Sequence, residues 1–371
     1  MTSKNMSLQN KPFLLAPVGK DYLWGGNRLK TDFHKNIDLT PLAETWECST
    51  HPDGSSIVAS GRHQGMPLDQ VIARHPEYLG SHPVTVMGGS SPDSQAKPCE
   101  LPVLVKLIDA AQSLSVQVHP DDAFAKAHEN GSLGKTEMWY VLDAKPNAHL
   151  IYGFNRNMNK ELLLNSLAHG TIEKYLQKVP VQRDDMFFIE AGTVHAIGAG
   201  VLLAEVQENS NLTYRLFDYD RRDKNGQKRP LHIENAMQVL NYKSSNAPRQ
   251  PIRVLRYRPG YASELLCSCK YFQVERLLIN TVSTNAPDCS TTEHSFQILL
   301  CLEGEGALLT ETGDLESGEG ATPVTTLDLE SREDATHVTT LPFTKGSCVF
   351  LPADSAPTRI QGKATLLRIS C

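Results

Sequence analysis

The sequence lacks the segments that would place the protein in a membrane or send it out of the cell. No apolar run approaches the roughly 20 residues of a membrane-spanning helix. The first residues, "MTSKNMSLQNKPFLLAP", contain no apolar stretch of the length found in a secretory signal peptide. These absences predict a cytoplasmic protein without a membrane partner.

Paired cysteines and basic clusters are also missing. The eight cysteines are scattered and none forms a C-x-x-C pair, so free thiols in a reducing compartment are the better interpretation. The net charge is −6 and the lysines and arginines are dispersed, which argues against a nucleic-acid partner. A small anionic ligand needs only a few local positive charges and stays compatible with this composition.

Short apolar segments rich in β-branched and aromatic residues dominate the chain. Gly, Pro, Asn and Asp separate them at short intervals, a pattern typical of a β-sandwich or barrel. We therefore predict a mainly β fold, with strands in "VLVKLI", "LSVQVH", "EMWYVL", "HLIYGF", "MFFIEA", "VLLAEVQ", "LTYRLFDY", "FQVERLLI", "FQILLCLEG", "SCVFLP" and "ATLLRIS".

Helical patterns are fewer. Apolar residues recur at helical spacing in 67–80 and 231–242, and 121–131 opens with two acids and closes with glycine. The segment 159–179 has the pattern of a helix, a break and a second helix.

Composition also predicts a division of the chain. A polar linker with two prolines (244–254) separates a catalytic domain (1–243) from a smaller β-rich domain (255–371), in which we see no His/Glu/His set. Within the second domain, the acidic, Thr- and Gly-rich segment 310–340 is expected to be a surface hairpin or a mobile loop.

Two histidines and a glutamate lie at the ends of predicted strands. In "SVQVHPDD", Gln117 and His119 are two residues apart, so a strand would direct both to one face. Glu137 begins "EMWYVL", and His195 follows a strand and a glycine-containing turn. Each residue alone is commonly structural, but on neighbouring strands of one barrel the three form a site for zinc or for non-haem Fe(II). Gln117 is a candidate fourth, neutral oxygen ligand.

The same residues carry a resemblance to a known family. The segments "WGGNRL", "AETWECSTHPDGSSIVASG", "PVLVKLIDAAQSLSVQVHPDD", "GKTEMWYVL" and "FFIEAGTVHAIGAGVLLAEVQENSNLTYRLFDYDR" resemble the type I mannose-6-phosphate isomerases. The likeness covers most of 12–242 and is nearest to the short bacterial form, which lacks an inserted helical domain. It implies two cupin (jelly-roll) barrels and the interconversion of mannose 6-phosphate and fructose 6-phosphate, in carbohydrate metabolism.

The resemblance also implies a ligand set. It points to one Zn²⁺ per chain held by Gln117, His119, Glu137 and His195, and to Arg215 as the active-site arginine. Two stretches depart from the longer enzymes: "GKTE" stands where they have "HKPE", and "NLTYR" where they have "DNVxR". The lysine and the arginine are kept, but the loss of proline puts the geometry of the first loop in question.

Isomerisation of an aldose to a ketose needs a base that moves a carbon-bound proton through an enediol. Lys106, Lys135 and Glu205 are the candidates. If Lys106 is buried, we expect its pKa to be lowered toward that of a usable base; the alternative is a lysine whose ammonium reaches water. Glu205 is a candidate hydrogen-bond partner of a sugar hydroxyl or of Arg215, or else a member of a structural ion pair.

Substrate contacts are expected from three residues. Arg215 presents a planar fork suited to phosphate, or it pairs with an acid such as Asp218 or Asp220. Lys135 should face the pocket beside Glu137, and Ser115 is a candidate phosphate donor.

Three functions stay open. The first is a zinc isomerase acting on a small sugar phosphate as a monomer or homodimer, and the second is a cupin Fe(II) oxygenase with the same ligands. The third is a sugar-phosphate-binding protein without catalysis. Metal analysis, oxygen uptake and a coupled isomerase assay separate them.

Overall fold

β-strands predominate in this computed structural model, which describes residues 10–82, 100–222, 225–245, 248, 250–312 and 337–371. The strands pair antiparallel in three sheets of six, five and nine strands. This confirms the prediction of a mainly β chain. No helix among the described residues has the length and apolar character needed to cross a membrane.

The six-stranded sheet forms the centre of the molecule, in the order β10-β7-β12-β5-β3-β2. In chain order its strands are β2 (Val18–Lys20), β3 (Glu44–Cys48), β5 (Val103–Ala110), β7 (Glu137–Ala144), β10 (Met186–Ile189) and β12 (Val201–Glu208). Both of its faces are covered, which is why β5 and β12 are buried at every position.

The five-stranded sheet packs against one face of the six-stranded sheet, in the order β13-β6-β11-β8-β9. Its strands are β6 (Val116–Val118), β8 (His149–Phe154), β9 (Leu176–Pro180), β11 (His195–Ile197) and β13 (Tyr214–Phe217). The apolar core between the two sheets contains Ile108, Trp139, Leu150, Ile197 and Leu203. This pair of sheets encloses the space in which the predicted site residues lie.

The nine-stranded sheet covers the opposite face of the six-stranded sheet, through a shared core that includes Val105, Tyr140, Val206, Ile298 and Phe350. Its strands are β1 (Phe13–Ala16), β4 (Ile57–Val58), β14 (Arg256–Arg258), β15 (Tyr261–Ser268), β16 (Gln273–Asn280), β17 (Gln297–Thr312), β18 (His337–Thr344), β19 (Cys348–Leu351) and β20 (Thr358–Ser370).

Two strands of this large sheet come from the beginning of the chain. β1 pairs with β19, where Phe13 lies opposite Phe350, and β4 adds to the far side of β1. In sequence, β1 and β4 precede the predicted linker at 244–254, whereas the other seven strands of this sheet follow it. Strands β17 and β18 pair as a hairpin through Thr312 and His337; the rest of the predicted acidic loop, 313–336, lies outside the described residues.

The helices are short and lie at the edges of the sheets: α1 (Arg28–Thr31), α2 (Leu68–Arg74), α3 (Asp122–His128), α4 (Lys160–Ala168) and α5 (Ile233–Val239). Side chains cap α3 and α4, because Asp121 accepts from the Phe124 N–H and Asn159 from the Leu162 N–H. The second helix predicted within 159–179 is wrong. After a single 3-10 turn the chain forms β9, which pairs with β8 at the sheet edge.

A pair of carboxyl groups lies where α3 approaches the large sheet. The Asp122 carboxylate hydrogen-bonds the Glu208 carboxyl group and accepts from the Gly134 N–H (3.0 Å) and the Tyr271 hydroxyl (2.9 Å). Burial of Glu208 and the neighbouring Asp122 charge raise the pKa of Glu208 to about 8. The pair therefore shares one proton at neutral pH.

Because the pKa of Glu208 is raised from 4.5 to about 8 on folding, this residue makes the protein less stable as pH rises through that range. Replacing Glu208 with glutamine keeps a donor for Asp122 and removes the titration. We expect the free energy of unfolding of the wild type to fall more steeply with pH than that of Glu208→Gln, by up to about 1.4 kcal/mol per pH unit. Urea unfolding at several values between pH 5 and 8 measures this. The exposed control Glu161→Gln should keep the wild-type slope, and equal slopes for Glu208→Gln and wild type would refute the shared proton.

Candidate metal centre

Three predicted ligands converge between the two inner sheets. His119 follows β6, His195 begins the neighbouring β11, and Glu137 begins β7 of the facing sheet. The two Nε2 atoms are 3.1 Å apart. Glu137 Oε1 lies 3.2 Å from His195 Nε2, and Glu137 Oε2 lies 3.7 Å from His119 Nε2. All three side chains are at most 1% exposed. Residues 76 positions apart are thus brought together by strand pairing.

Backbone carbonyls fix the tautomers of both histidines. His119 Nδ1 lies 2.7 Å from the Leu212 carbonyl, and His195 Nδ1 lies 2.8 Å from the Thr193 carbonyl. Because a carbonyl only accepts, each Nδ1 carries the hydrogen and each Nε2 lone pair faces the other ligands. Burial, reinforced by the Lys135 charge, lowers the pKa of both rings, that of His195 to about 4. Both histidines are therefore neutral at pH 7, as metal binding requires.

The donor set fits a small divalent cation. With metal–ligand bonds of 2.0–2.1 Å, tetrahedral coordination places ligand atoms roughly 3.3 Å apart, close to the spacing of the two Nε2 atoms and Glu137 Oε1. Glu137 Oε1 is buried and accepts no hydrogen bond from the described residues. A buried carboxylate oxygen without a donor is what a bound cation would satisfy. Two neutral imidazoles and one carboxylate leave room for a further ligand.

Lys135 lies beside the three candidate ligands. Its side chain is 4% exposed; the ammonium contacts the Glu137 carboxylate and lies 3.2 Å from His119 Nε2. The structure therefore places Lys135 beside Glu137 and His119.

The loop that carries Lys135 depends on glycine and threonine. A Cβ on Gly134 would lie 2.5 Å from the Asp122 nitrogen, so only glycine allows this approach to α3. The Thr136 N–H donates to Glu208 Oε1 over 2.7 Å. Proline has no N–H to donate, so the threonine of "GKTE" provides a hydrogen bond that a proline would lose.

A second set of charges lies on the same face of the six-stranded sheet. Lys106 Nζ is 3.1 Å from Glu205 Oε1 and 3.8 Å from Glu44 Oε2, and all three side chains are buried. Two indoles hold the carboxylates: Trp139 donates to Glu205 and Trp46 to Glu44, each over 2.8 Å. The Trp139 ring also meets His195 edge-on, with centroids 5.4 Å apart. These contacts connect the charged row to the candidate metal ligands.

Lys106 is buried, but its pKa moves in the opposite direction to that expected for a buried lysine. Burial acts to lower the pKa, and the carboxylates of Glu205 and Glu44 outweigh it and raise the pKa above its usual range. For Glu205, burial acts to raise the pKa, and the charges of Lys135 and Lys106 outweigh it and lower the pKa. Lys106 is thus protonated and Glu205 ionised at neutral pH. Lys106 is therefore not suited to act as the base, because Glu205 and Glu44 keep it protonated.

Arg215 lies on β13, opposite Gln117 of β6. Its Nε donates to Ser115 Oγ over 3.2 Å, and its Nη1 donates to the Pro230 carbonyl over 2.9 Å. Of the two acids considered as its partners, Asp218 pairs with Arg221 and Arg229, and Asp220 pairs with Lys228. The guanidinium of Arg215 therefore lies beside the predicted phosphate donor Ser115 rather than in an ion pair with Asp218.

Gln117 lies next to the candidate metal ligands. It pairs with His195 across the strands, and its side-chain nitrogen is 3.4 Å from His195 Nε2. Which amide atom faces the histidine is an assignment from hydrogen bonding, and a half-turn of the amide would present the oxygen there. Gln117 as a ligand stays a prediction.

Several residues of the pocket were missed by the sequence reasoning. Glu44 and Trp46 are two residues apart in "AETWEC", so the sequence indicates that their side chains point to the same face of a strand. Their spacing from Lys106 does not indicate that the three residues are in contact. The carbonyls of Leu212 and Thr193 that orient the histidines could not be predicted from the sequence, because every residue has a backbone carbonyl.

Comparisons with known proteins point to one family. The family model for the catalytic domain of type I phosphomannose isomerase matches residues 13–150. Mannose-6-phosphate isomerase of Streptococcus mutans is 39% identical over 271 residues, 73% of this chain and 79% of that protein. Mannose-6-phosphate isomerase ManA of Bacillus subtilis is 34% identical over 303 residues, 82% of this chain and 89% of that protein.

Solved structures give the same picture of the fold. The mannose 6-phosphate isomerase from Bacillus subtilis aligns over 97% of this chain and 99% of its own, with a TM-score of 0.76 and 31% identity. The apo form of the enzyme from Salmonella typhimurium aligns over 97% and 98%, with a TM-score of 0.66. At 18% sequence identity, the similarity to this enzyme concerns the fold alone.

Proposed function

Because the chain belongs to the type I mannose-6-phosphate isomerase family, we propose that it interconverts mannose 6-phosphate and fructose 6-phosphate with one zinc ion per chain. The observation that carries the proposal is the convergence of His119, Glu137 and His195 on one buried point. The family gives the reaction class, and the side chains supply the groups that the reaction needs.

His119, Glu137 and His195 would hold the zinc, with Gln117 as a further neutral ligand. When bound, zinc supplies a Lewis acid that polarises the sugar oxygens at C1 and C2 without redox side reactions. The neutral histidines and their fixed tautomers give two nitrogen donors. No change in the protonation of these rings is needed at pH 7.

Lys106 and Glu205 have opposite tasks in this proposal. The Lys106 ammonium, held between two carboxylates, donates hydrogen bonds to sugar oxygens on which negative charge develops. Glu205 is ionised, and its geometry is fixed by the Trp139 indole. Glu205 is the candidate that takes and returns the carbon-bound proton, since Lys106 is committed to its charged form and the Lys135 ammonium is paired with Glu137.

Arg215 and Ser115 are proposed to bind the anionic part of the substrate. The two side chains already contact each other, and guanidinium and hydroxyl groups both donate to phosphate oxygens. Asp218 and Asp220 pair with other cations, so the charge of Arg215 favours a phosphorylated sugar over an apolar substrate. The large sheet packs on the outer face of the six-stranded sheet, which supports a structural role for most of 255–371.

The test combines metal analysis with two activity assays on the purified chain. We expect about one zinc per chain, conversion of mannose 6-phosphate in a coupled assay, and no oxygen uptake. Iron with oxygen uptake would favour the Fe(II) oxygenase. Binding of the sugar phosphate without interconversion, at full zinc content, would favour the non-catalytic protein. Light scattering of the same sample distinguishes the monomer from the homodimer.

A further inference from the structure

Gln207 is a buried side chain of β12 with no role so far. It is 0% exposed and lies opposite Glu137 in the pairing of β12 with β7. It is two residues from Glu205, so both side chains point to the site face of the strand. Paired residues of neighbouring strands direct their side chains to the same face, so Gln207 and Glu137 are neighbours there.

The amide of Gln207 holds the turn that follows β12. Its nitrogen donates to the carbonyl of Glu208 over 2.8 Å and to that of Ser210 over 2.5 Å. The two carbonyl acceptors fix the orientation of the amide, because a flipped amide would place its oxygen against both of them. Gln207 Oε1 consequently points elsewhere, and it is buried without a hydrogen bond from the described residues.

The turn held by Gln207 ends at the carbonyl that orients His119. Ser210 Oγ donates to the Leu133 carbonyl over 3.0 Å and accepts from the Leu212 N–H over 3.3 Å. The Leu212 carbonyl then accepts from His119 Nδ1 over 2.7 Å. The Gln207 amide is therefore linked to the imidazole through these hydrogen bonds and the covalent bonds of Ser210 and Leu212.

We propose that Gln207 is a positioning residue: it holds the 208–212 turn so that the Leu212 carbonyl keeps His119 in the tautomer whose Nε2 binds metal. The proposal rests on the metal site proposed above, but not on the isomerase reaction. The two hydrogen bonds from the amide to the turn carbonyls support it, because an apolar residue of similar size would remove both of these donors.

The test compares Gln207→Met with wild type. Methionine keeps the length of the side chain and removes both donors. We expect the affinity for Zn²⁺, measured by competition with a chromophoric chelator, to fall about 10- to 100-fold. In the metal-free full chain labelled with ¹⁵N-histidine, long-range ¹H–¹⁵N correlations should show one His119 tautomer, with the hydrogen on Nδ1, in wild type. They should show a mixture of tautomers in the variant.

Gln297→Met is the matched control, since Gln297 Oε1 is also buried without a hydrogen bond, on β17 of the large sheet. It should keep wild-type zinc affinity and a single His119 tautomer. A folded Gln207→Met protein with unchanged affinity and tautomer would overturn the proposal.

If Gln207→Met does not fold, Ser210→Ala decides the question, because it weakens the same turn through the hydroxyl alone. It should shift affinity and tautomer in the same direction by a smaller amount, and no shift would overturn the proposal. Loss of isomerase activity plays no part in these measurements. A failure of the proposed reaction with the zinc results intact would leave the role of Gln207 standing.

Discussion

Replacing His119 with alanine should abolish zinc binding and isomerase turnover together while the protein stays folded. His119 contributes one of the two imidazoles, and Glu137 with His195 alone leaves only two strong ligands for the ion. The substitution removes a buried ring but leaves the strands of both inner sheets paired through their backbones. Metal analysis, the coupled assay and circular dichroism on the same preparation measure the three effects.

His169→Ala is the control for this experiment. His169 is exposed at the end of α4, where its Nδ1 lies 2.8 Å from the Asn165 carbonyl. It should keep full zinc content and full turnover. Turnover that persists in zinc-depleted His119→Ala would mean that the reaction does not use this centre.

Replacing Lys106 with methionine should have the largest effect on stability. It leaves the carboxylates of Glu205 and Glu44 buried without their shared cation, and breaking a buried ion pair in this way costs about 3–5 kcal/mol. Activity should fall as well, because the donor for the sugar oxygens is lost. Urea unfolding and the coupled assay measure the two losses.

The double variant Lys106→Met with Glu205→Gln separates stability from function. Removing the charge of Glu205 should restore part of the lost stability, because one buried carboxylate then no longer needs a cation. It should not restore turnover. A double variant no more stable than Lys106→Met would contradict the pairing of these two residues.

Lys106→Arg distinguishes between Lys106 as a cationic hydrogen-bond donor and Lys106 as a base. Arginine keeps a positive charge but cannot act as a base at neutral pH. If Lys106 acts as a cationic donor, the arginine variant should keep measurable turnover, well above that of Lys106→Met. If both variants are equally inactive while Lys106→Arg stays folded, the role as a donor is wrong.

Residue types and strand boundaries indicated a shared site for the three candidate ligands as one interpretation, because barrels bring strand ends together, and the family resemblance implied the ligand set. His119, Glu137 and His195 each adjoin a turn and an apolar strand, and this is visible in the sequence. What surrounds them was not predictable in the same way. The acids on both sides of Lys106 come from β3 and β12, and only the pairing of β5 with both strands brings them to one lysine.

The error in the segment 159–179 has a similar cause. Its second half has apolar residues at intervals compatible with a helix, and the chain there forms β9 because the edge of β8 offers backbone partners. The pairing of this segment with β8, and not its local preference for a helix, determined its structure. Boundaries of this kind depend on neighbours that lie far away in sequence.

The position of β1 has a consequence for how the protein is made. Phe13 lies opposite Phe350, so β1 must wait for a strand that lies much later in the chain to be translated. Contacts between such distant residues slow folding. Until β19 emerges from the ribosome, the apolar strand β1 has an unpaired edge, and during that interval the chain should depend most on chaperones.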